Sequence, residues 1–198
     1  MKSHWEYIIS DYYRYHPGQV LNYAKKGRIK ALQLRITLKV IFSKERGFAP
    51  NYWLRLCKAG GLAGKIARRK WPSILFNYGL RIDPDTVIGY GLYMGHPIGL
   101  GINRTARIGN NCNISQYVDI GSNHDNGAVI GDNVYIGPHA LVIENVSVGD
   151  DVIIGGGAVI VKDVPKGMTV VGNPGRIVGP NKHPEYICNK WDPTILNA

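Results

Sequence analysis

Imidazole is the side chain best suited to take up and return a proton near neutral pH, and three of the six histidines in this 198-residue chain stand where such chemistry has room. His96 lies in YMGHPIGLG, with Gly95 and Gly99 allowing close approach of a substrate and Pro97 restraining the turn. That setting predicts a general base. His124 stands next to Asp125 in SNHDNG, a pair suited to orienting an acceptor or assisting a proton transfer. His139 falls inside a regular stretch and reads as a surface residue. Three imidazoles and a water can also build a catalytic zinc site of the carbonic anhydrase kind. The close histidine pair that such a site expects is absent, so no metal is predicted. Cys57, Cys112 and Cys188 lie far apart without a CxxC pair, and neither they nor any serine has a clear activating partner.

These residues must be positioned by a repeat. From Ile82 onward, branched or large apolar residues recur at 82, 88 and 94, then at 102, 108, 114 and 120, then at 130, 136, 142, 148, 154 and 160. Glycine commonly follows them, and a compact residue often stands two places before. Six residues make one short strand and one turn, and three such units return the chain to its starting face. Coils stacked about 4.8 Å apart bond through their backbones, while Ile and Val fill the narrow prism. The expectation is a mainly β protein, a parallel β-helix of four to five coils.

The rhythm breaks twice. Two extra residues separate Met94 from Ile102 and four separate Ile120 from Ile130, so His96 and the stretch 122–126 project as loops. The first break follows a third-face unit and the second a first-face unit, which places the loops at different corners. A threefold assembly would bring one chain's first loop towards a neighbour's second. The expected oligomer is a homotrimer with inter-subunit sites.

The formal charge of +10 is uneven: residues 1–80 hold 16 Lys or Arg against three acids. Such a run suits an anionic membrane surface or a phosphorylated acceptor; nothing in it identifies a nucleic-acid reader. Helices are expected at Trp5 to Tyr15, Pro17 to Lys26 and Tyr52 to Lys70. ALQLRITLKVIF fits either a strand or a helix face. The organisation expected is a basic, mostly helical region at 1–80, the β-helix at 81–178, and a cap or tail at 179–198 that covers an end of the solenoid. No apolar run approaches the roughly 20 residues that span a bilayer, and the start lacks a secretory pattern. The expected location is cytoplasmic, with peripheral membrane contact.

The repeats, YMGHPIGLGINRTARIG and the terminal VVGNPGRIV together resemble the hexapeptide-repeat acyltransferases, left-handed β-helix proteins, and in particular their serine O-acetyltransferase-like branch. The resemblance covers residues 81–178. It implies acetyl-CoA as donor, direct transfer to a hydroxyl, and His96 as the residue that takes the hydroxyl proton. It also implies pantetheine bound along Gly155, Gly156, Gly157 and Ala158, and CoA near Asn173, Pro174, Gly175 and Arg176, with Arg176 or Lys162 attracting its phosphates.

The chain departs from the serine enzymes at three places. Gly95 stands where they have an aspartate before the histidine, and Arg81 stands where they have a second aspartate, with Asp83 displaced by two residues as a possible substitute. The second loop, SNHDNGAVIG, lacks their Arg-His-Pro. Gly95, Asp83, His124 and Asp125 are accordingly the acceptor-side candidates. A sugar or glycan hydroxyl is the expected acceptor, with serine as the alternative. A non-catalytic scaffold would bind no acetyl-CoA, and a zinc lyase would lose activity with its metal.

Overall fold

A computed structural model of the chain describes residues 3–42, 44–124 and 126–197. Five helices come first. α1 (His4–Tyr15) begins where the Ser3 hydroxyl accepts the Glu6 N–H, and its Ile8, Ile9 and Tyr12 turn inward. α2 (Pro17–Lys25) opens on a proline, whose missing N–H costs nothing at a helix start. The ambiguous ALQLRITLKVIF is helical: in α3 (Ile29–Ile41) the buried residues are Leu32, Ile36 and Val40, spaced by four. The single helix expected from Tyr52 to Lys70 is two, α4 (Ala49–Leu56) and α5 (Gly61–Tyr78), because Gly60 and Gly61 interrupt it.

The chain then winds three strands per coil. The first coil holds β1 (Arg81–Ile82), β2 (Val87–Ile88) and β3 (Tyr93–Met94). β4 (Gly101–Ile102), β5 (Arg107–Ile108) and β6 (Asn113–Ile114) form the second. β7 (Asp119–Gly121), β8 (Val129–Ile130) and β9 (Tyr135–Ile136) make the third. β10 (Leu141–Ile143), β11 (Ser147–Val148) and β12 (Ile153–Ile154) make the fourth. β13 (Val159–Ile160) starts a fifth, Val164 bridges Val148, and β14 (Met168–Val171) completes it. β15 (Arg176–Pro180) folds back antiparallel on β14.

The first face is β1-β4-β7-β10-β13, the second β2-β5-β8-β11, and the third β3-β6-β9-β12-β14-β15. All pairings except β14–β15 are parallel and in register, so Ile82 lies over Ile102 and Ile102 over Ile120. Every repeat position from Ile82 to Ile160 is 5% exposed or less, and each such Ile or Val contributes about 1.5–3 kcal/mol by leaving water.

A solenoid's first coil would leave a row of backbone groups unpaired. Here the helices close that edge with side chains. Arg55 donates to the carbonyls of Ile88 and Gly89 and pairs with Asp11 at 2.8 Å, while Asp11 accepts the Leu92 N–H. Arg14 donates to Gly91 O, Lys58 to Thr86 O and the Trp71 indole to Ile82 O. Three cations of the basic region are thus turned inward onto the solenoid, not offered to a membrane. Among the described residues no helix is long and apolar enough to cross one.

The far edge of the third face is closed by β15, and the segment after it does not cover that end. Residues 181–197 run back along the side of the coils. Asn181 bonds to Asp151 O, Asn113 to Tyr186 O, and Asn111 to both backbone groups of a buried Trp191. The strap meets α1, where Arg14 donates to Cys188 O and Asn189 to Arg14 O, and its last residues, Pro193–Asn197, lie against α2.

Candidate active site

His96 projects from the corner between the third and first faces, in the loop joining β3 to β4. Its side chain is exposed and forms no hydrogen bond among the described residues. The loop is held from below. Tyr15 OH accepts the Met94 N–H at 3.0 Å and lies 2.8 Å from Met94 O, and burial raises this phenol well above its ordinary pKa. The Tyr15 ring packs on Tyr93 at 4.6 Å, and Arg14 stands over the other ring at 5.8 Å. A Cβ on Gly95 would meet the Tyr93 ring at 3.1 Å, so an aspartate there requires that ring to shift. Neither Tyr15 nor Tyr93 was legible as part of the site, because the contact joins residues 79 positions apart.

Above the loop, the same corner continues rung by rung. Gly99, Tyr117, His139 and Gly157 occupy equivalent positions with positive φ, +59° for both Tyr117 and His139. Gly99 donates its N–H to Tyr78 O of α5, and the other three donate to the coil below: Tyr117 to Ile98 O, His139 to Gln116 O and Gly157 to Pro138 O. The Tyr117 and His139 rings stack at 4.8 Å. His139 is therefore an exposed corner residue, as its regular position suggests. Gly99 must stay free of a side chain, since a Cβ there would come within 2.5 Å of the Tyr117 ring.

The run Gly155 to Ala158 turns this same corner one coil higher. Three of its amides are engaged: Gly155 N–H with Val170 O, Gly157 N–H with Pro138 O and Ala158 N–H with Gly155 O. Gly156 N–H has no acceptor among the described residues, and the residue is exposed. It lies three rungs from the His96 loop, about 14 Å at the usual strand spacing. The 172–175 segment adds to the edge of β13, with Val159 N–H donating to Gly172 O and Gly175 N–H to Val159 O. Asn173, Pro174 and Arg176 are exposed at that end of the corner. Lys162 is not brought there; it follows β13 on the way to the second face.

The second loop leaves the corner between the first and second faces and is organised by Glu144, which sequence reasoning missed. This carboxylate, from the coil above, accepts the Asn123 N–H at 3.1 Å and the Ser122 hydroxyl at 2.9 Å, and lies 3.3 Å from His124 Nδ1. The Asn123 N–H and the Ser122 hydroxyl, with His124, hold its pKa below the usual value. His124 is thus tied to Glu144 and remains 82% exposed. Asp125 lies outside the described residues. Asp83 sits after β1 at this corner too and accepts the Asp85 N–H, closing its own turn; it makes no contact with His96. Among the described residues no group of three His, Cys, Asp or Glu could hold a metal ion. Cys57 and Cys112 are buried thiols, pushed up to about 11 and about 12 by desolvation.

The six-residue solenoid is similar to known proteins. The family pattern described as bacterial transferase hexapeptide (six repeats) matches residues 127–162. Those residues carry the hexapeptide repeat. It is 36% identical over 126 residues to serine acetyltransferase 1, chloroplastic, of Arabidopsis thaliana, covering 60% of this chain and 40% of that one. It is 40% identical over 107 residues to a serine acetyltransferase of Staphylococcus xylosus, covering 52% of this chain and 50% of the relative. The crystal structure of Neisseria gonorrhoeae serine acetyltransferase is similar at 34% identity with a TM-score of 0.61, over 68% of this chain and 55% of that one. A serine acetyltransferase solved in complex with CoA gives a TM-score of 0.58 at 28% identity, over 67% of this chain and 57% of that one. The chain therefore spans half the length or less of these two curated relatives.

Proposed function

We propose that the chain is an acetyl-CoA-dependent O-acetyltransferase that uses serine as acceptor. The observation that carries this reading is the shared corner, which lines up the exposed imidazole of His96 with the open amide of Gly156. Pantetheine lying along that corner would place its thioester near His96 and hydrogen-bond the Gly156 N–H. The relatives are named serine acetyltransferases, which supports serine over the sugar acceptor expected from the altered loops.

In this reading His96 takes the proton of the acceptor hydroxyl as the oxygen bonds to the thioester carbonyl carbon. The carbon–sulfur bond then breaks, CoA leaves as a thiolate, and the proton on His96 passes to that sulfur. Imidazole is neutral again, and no acyl-enzyme is needed. Both cysteines of the core are too buried and too basic to serve as nucleophiles.

The finer arrangement is a homotrimer with shared sites. The first face exposes Leu141, Ile143 and Val161 and the second Val87 and Val129, so both faces left open by the helices and strap offer apolar surface for a neighbour. The direct test is acetyl-CoA consumption with serine, simple sugars and nucleotide sugars, with the product identified by mass. O-Acetylserine is the expected product; transfer to a sugar alone would overturn the acceptor.

A further inference from the structure

On the first face, strand register stacks Arg81, Gly101 and Asp119 in one outward column. Gly101 leaves a gap, and the guanidinium and carboxylate meet across it with Nη2 to Oδ2 at 2.6 Å. A Cβ on Gly101 would lie 2.6 Å from Asp119 Oδ1, so this arrangement requires glycine at the middle rung. The pair is not buried: the Arg81 side chain is 78% exposed and that of Asp119 39%. Exposed pairs of this kind contribute little to stability. Its place is more telling than its strength.

The pair lines an open groove of about 340 Å³ with Asn103, Ser122 and Asn123. Asn103 Nδ2 donates to Ser122 O, so the second loop forms one wall. At the other end Arg81 N–H donates to Leu100 O, directly beneath the exit of the loop that carries His96. The groove runs along the first face, with the second loop at one end and the start of β4, which follows the His96 loop, at the other.

We propose that Arg81 and Asp119 anchor the charged backbone of an amino-acid acceptor, with Arg81 taking its carboxylate and Asp119 its ammonium group. The proposal rests on the serine reading above and deepens it. Arg81 uses one N–H on Asp119, which leaves others of its fork open to a carboxylate. Asp119 Oδ1 accepts no hydrogen bond among the described residues. A zwitterion laid antiparallel to the pair satisfies both charges at once, whereas a neutral sugar leaves both unmatched. The pair also supplies a cation and an anion in a chain that has glycine at position 95 and no arginine in its second loop.

The test uses the full chain, acetyl-CoA, and serine beside serine methyl ester, which lacks the carboxylate. Arg81→Ala is expected to raise the KM for serine tenfold or more, with the loss in KM and not in kcat, and to abolish the preference for serine over its ester. A charge-swapped double variant, Arg81→Asp with Asp119→Arg, keeps an ion pair but reverses its polarity, so it should bind serine as poorly as Arg81→Ala. Recovery of wild-type KM in the swap would show a structural pair and overturn the proposal. Calorimetric titration with serine separates the two readings. Arg81-dependent binding without transfer keeps the subsite and overturns the activity. Transfer with unchanged KM in both variants keeps the activity and overturns the subsite. Absence of serine binding to the wild-type chain overturns both.

Discussion

Among the described residues the His96 side chain has no hydrogen-bond partner, so its position depends on the residues beneath it. Met94 is fixed by Tyr15 through both backbone groups, and the two glycines after it offer no packing of their own. The two side chains therefore have separable roles. His96→Ala removes the base and is expected to lower kcat by about 10²–10⁴-fold, the usual worth of a positioned acid–base group, with acetyl-CoA affinity retained. Tyr15→Phe keeps the imidazole but strips Met94 of its partners in a buried setting, at a cost of about 1–3 kcal/mol. Thermal unfolding should register Tyr15→Phe clearly and His96→Ala barely. Steady-state rates should rank them the other way, and equal rate losses with equal melting shifts would show that His96 is only structural.

At the scale of elements, each interruption is tied by a carboxylate or a hydroxyl from elsewhere in the chain. For the second loop that group is Glu144, whose pKa is lowered chiefly by the Asn123 N–H and then by the Ser122 hydroxyl. A carboxylate with a folded pKa below its unfolded one stabilises fully above the unfolded value and loses that contribution as pH falls through the folded one. The Asn123 amide resonance is thus expected to be constant near neutrality and to shift only at a pH beneath the ordinary glutamate pKa. Glu144→Gln should remove the transition, and its persistence would assign the titration to another group. On the helical side Arg55 has the larger task. Burial already pushes the Asp11 carboxyl up against the pull of Arg55. Arg55→Met leaves that carboxyl with only Asn51 and the Leu92 N–H, and the Ile88 and Gly89 carbonyls without the guanidinium, which is expected to cost about 3–5 kcal/mol in urea unfolding. A loss below about 1 kcal/mol would mean that water replaces the guanidinium.

The repeat was readable because each inward Ile or Val answers to a local rule: six residues, one strand, one buried side chain. Both loops were readable as failures of that rule. Arg14, Asp11, Asn51 and Arg55 were not, because their partners lie 33 to 174 residues away and a polar side chain carries no mark of the edge it closes. Glu144 escaped notice for the same reason, since it reaches its loop across a rung, 20 to 22 positions away.

For the whole molecule, helices close one edge of the coils, β15 closes the far edge of the third face, and the strap ties the third face back to α1. The first and second faces stay open, and they are the faces whose corners carry the two loops. A ring of three chains joined head to tail would cover them and set each first loop against a neighbour's second. Mixing two impaired chains tests this directly. His96→Ala lacks the base, and Glu144→Ala unties the second loop, so each trimer made of one kind is defective at every site. In a reassembled equimolar mixture, a site built from the first loop of one chain and the second loop of the next is intact in about a quarter of cases. Recovery of about a quarter of wild-type activity, absent before subunit exchange, is the expected result. A mixture no more active than its parents, with exchange verified by mass, would place both loops' contributions within a single chain.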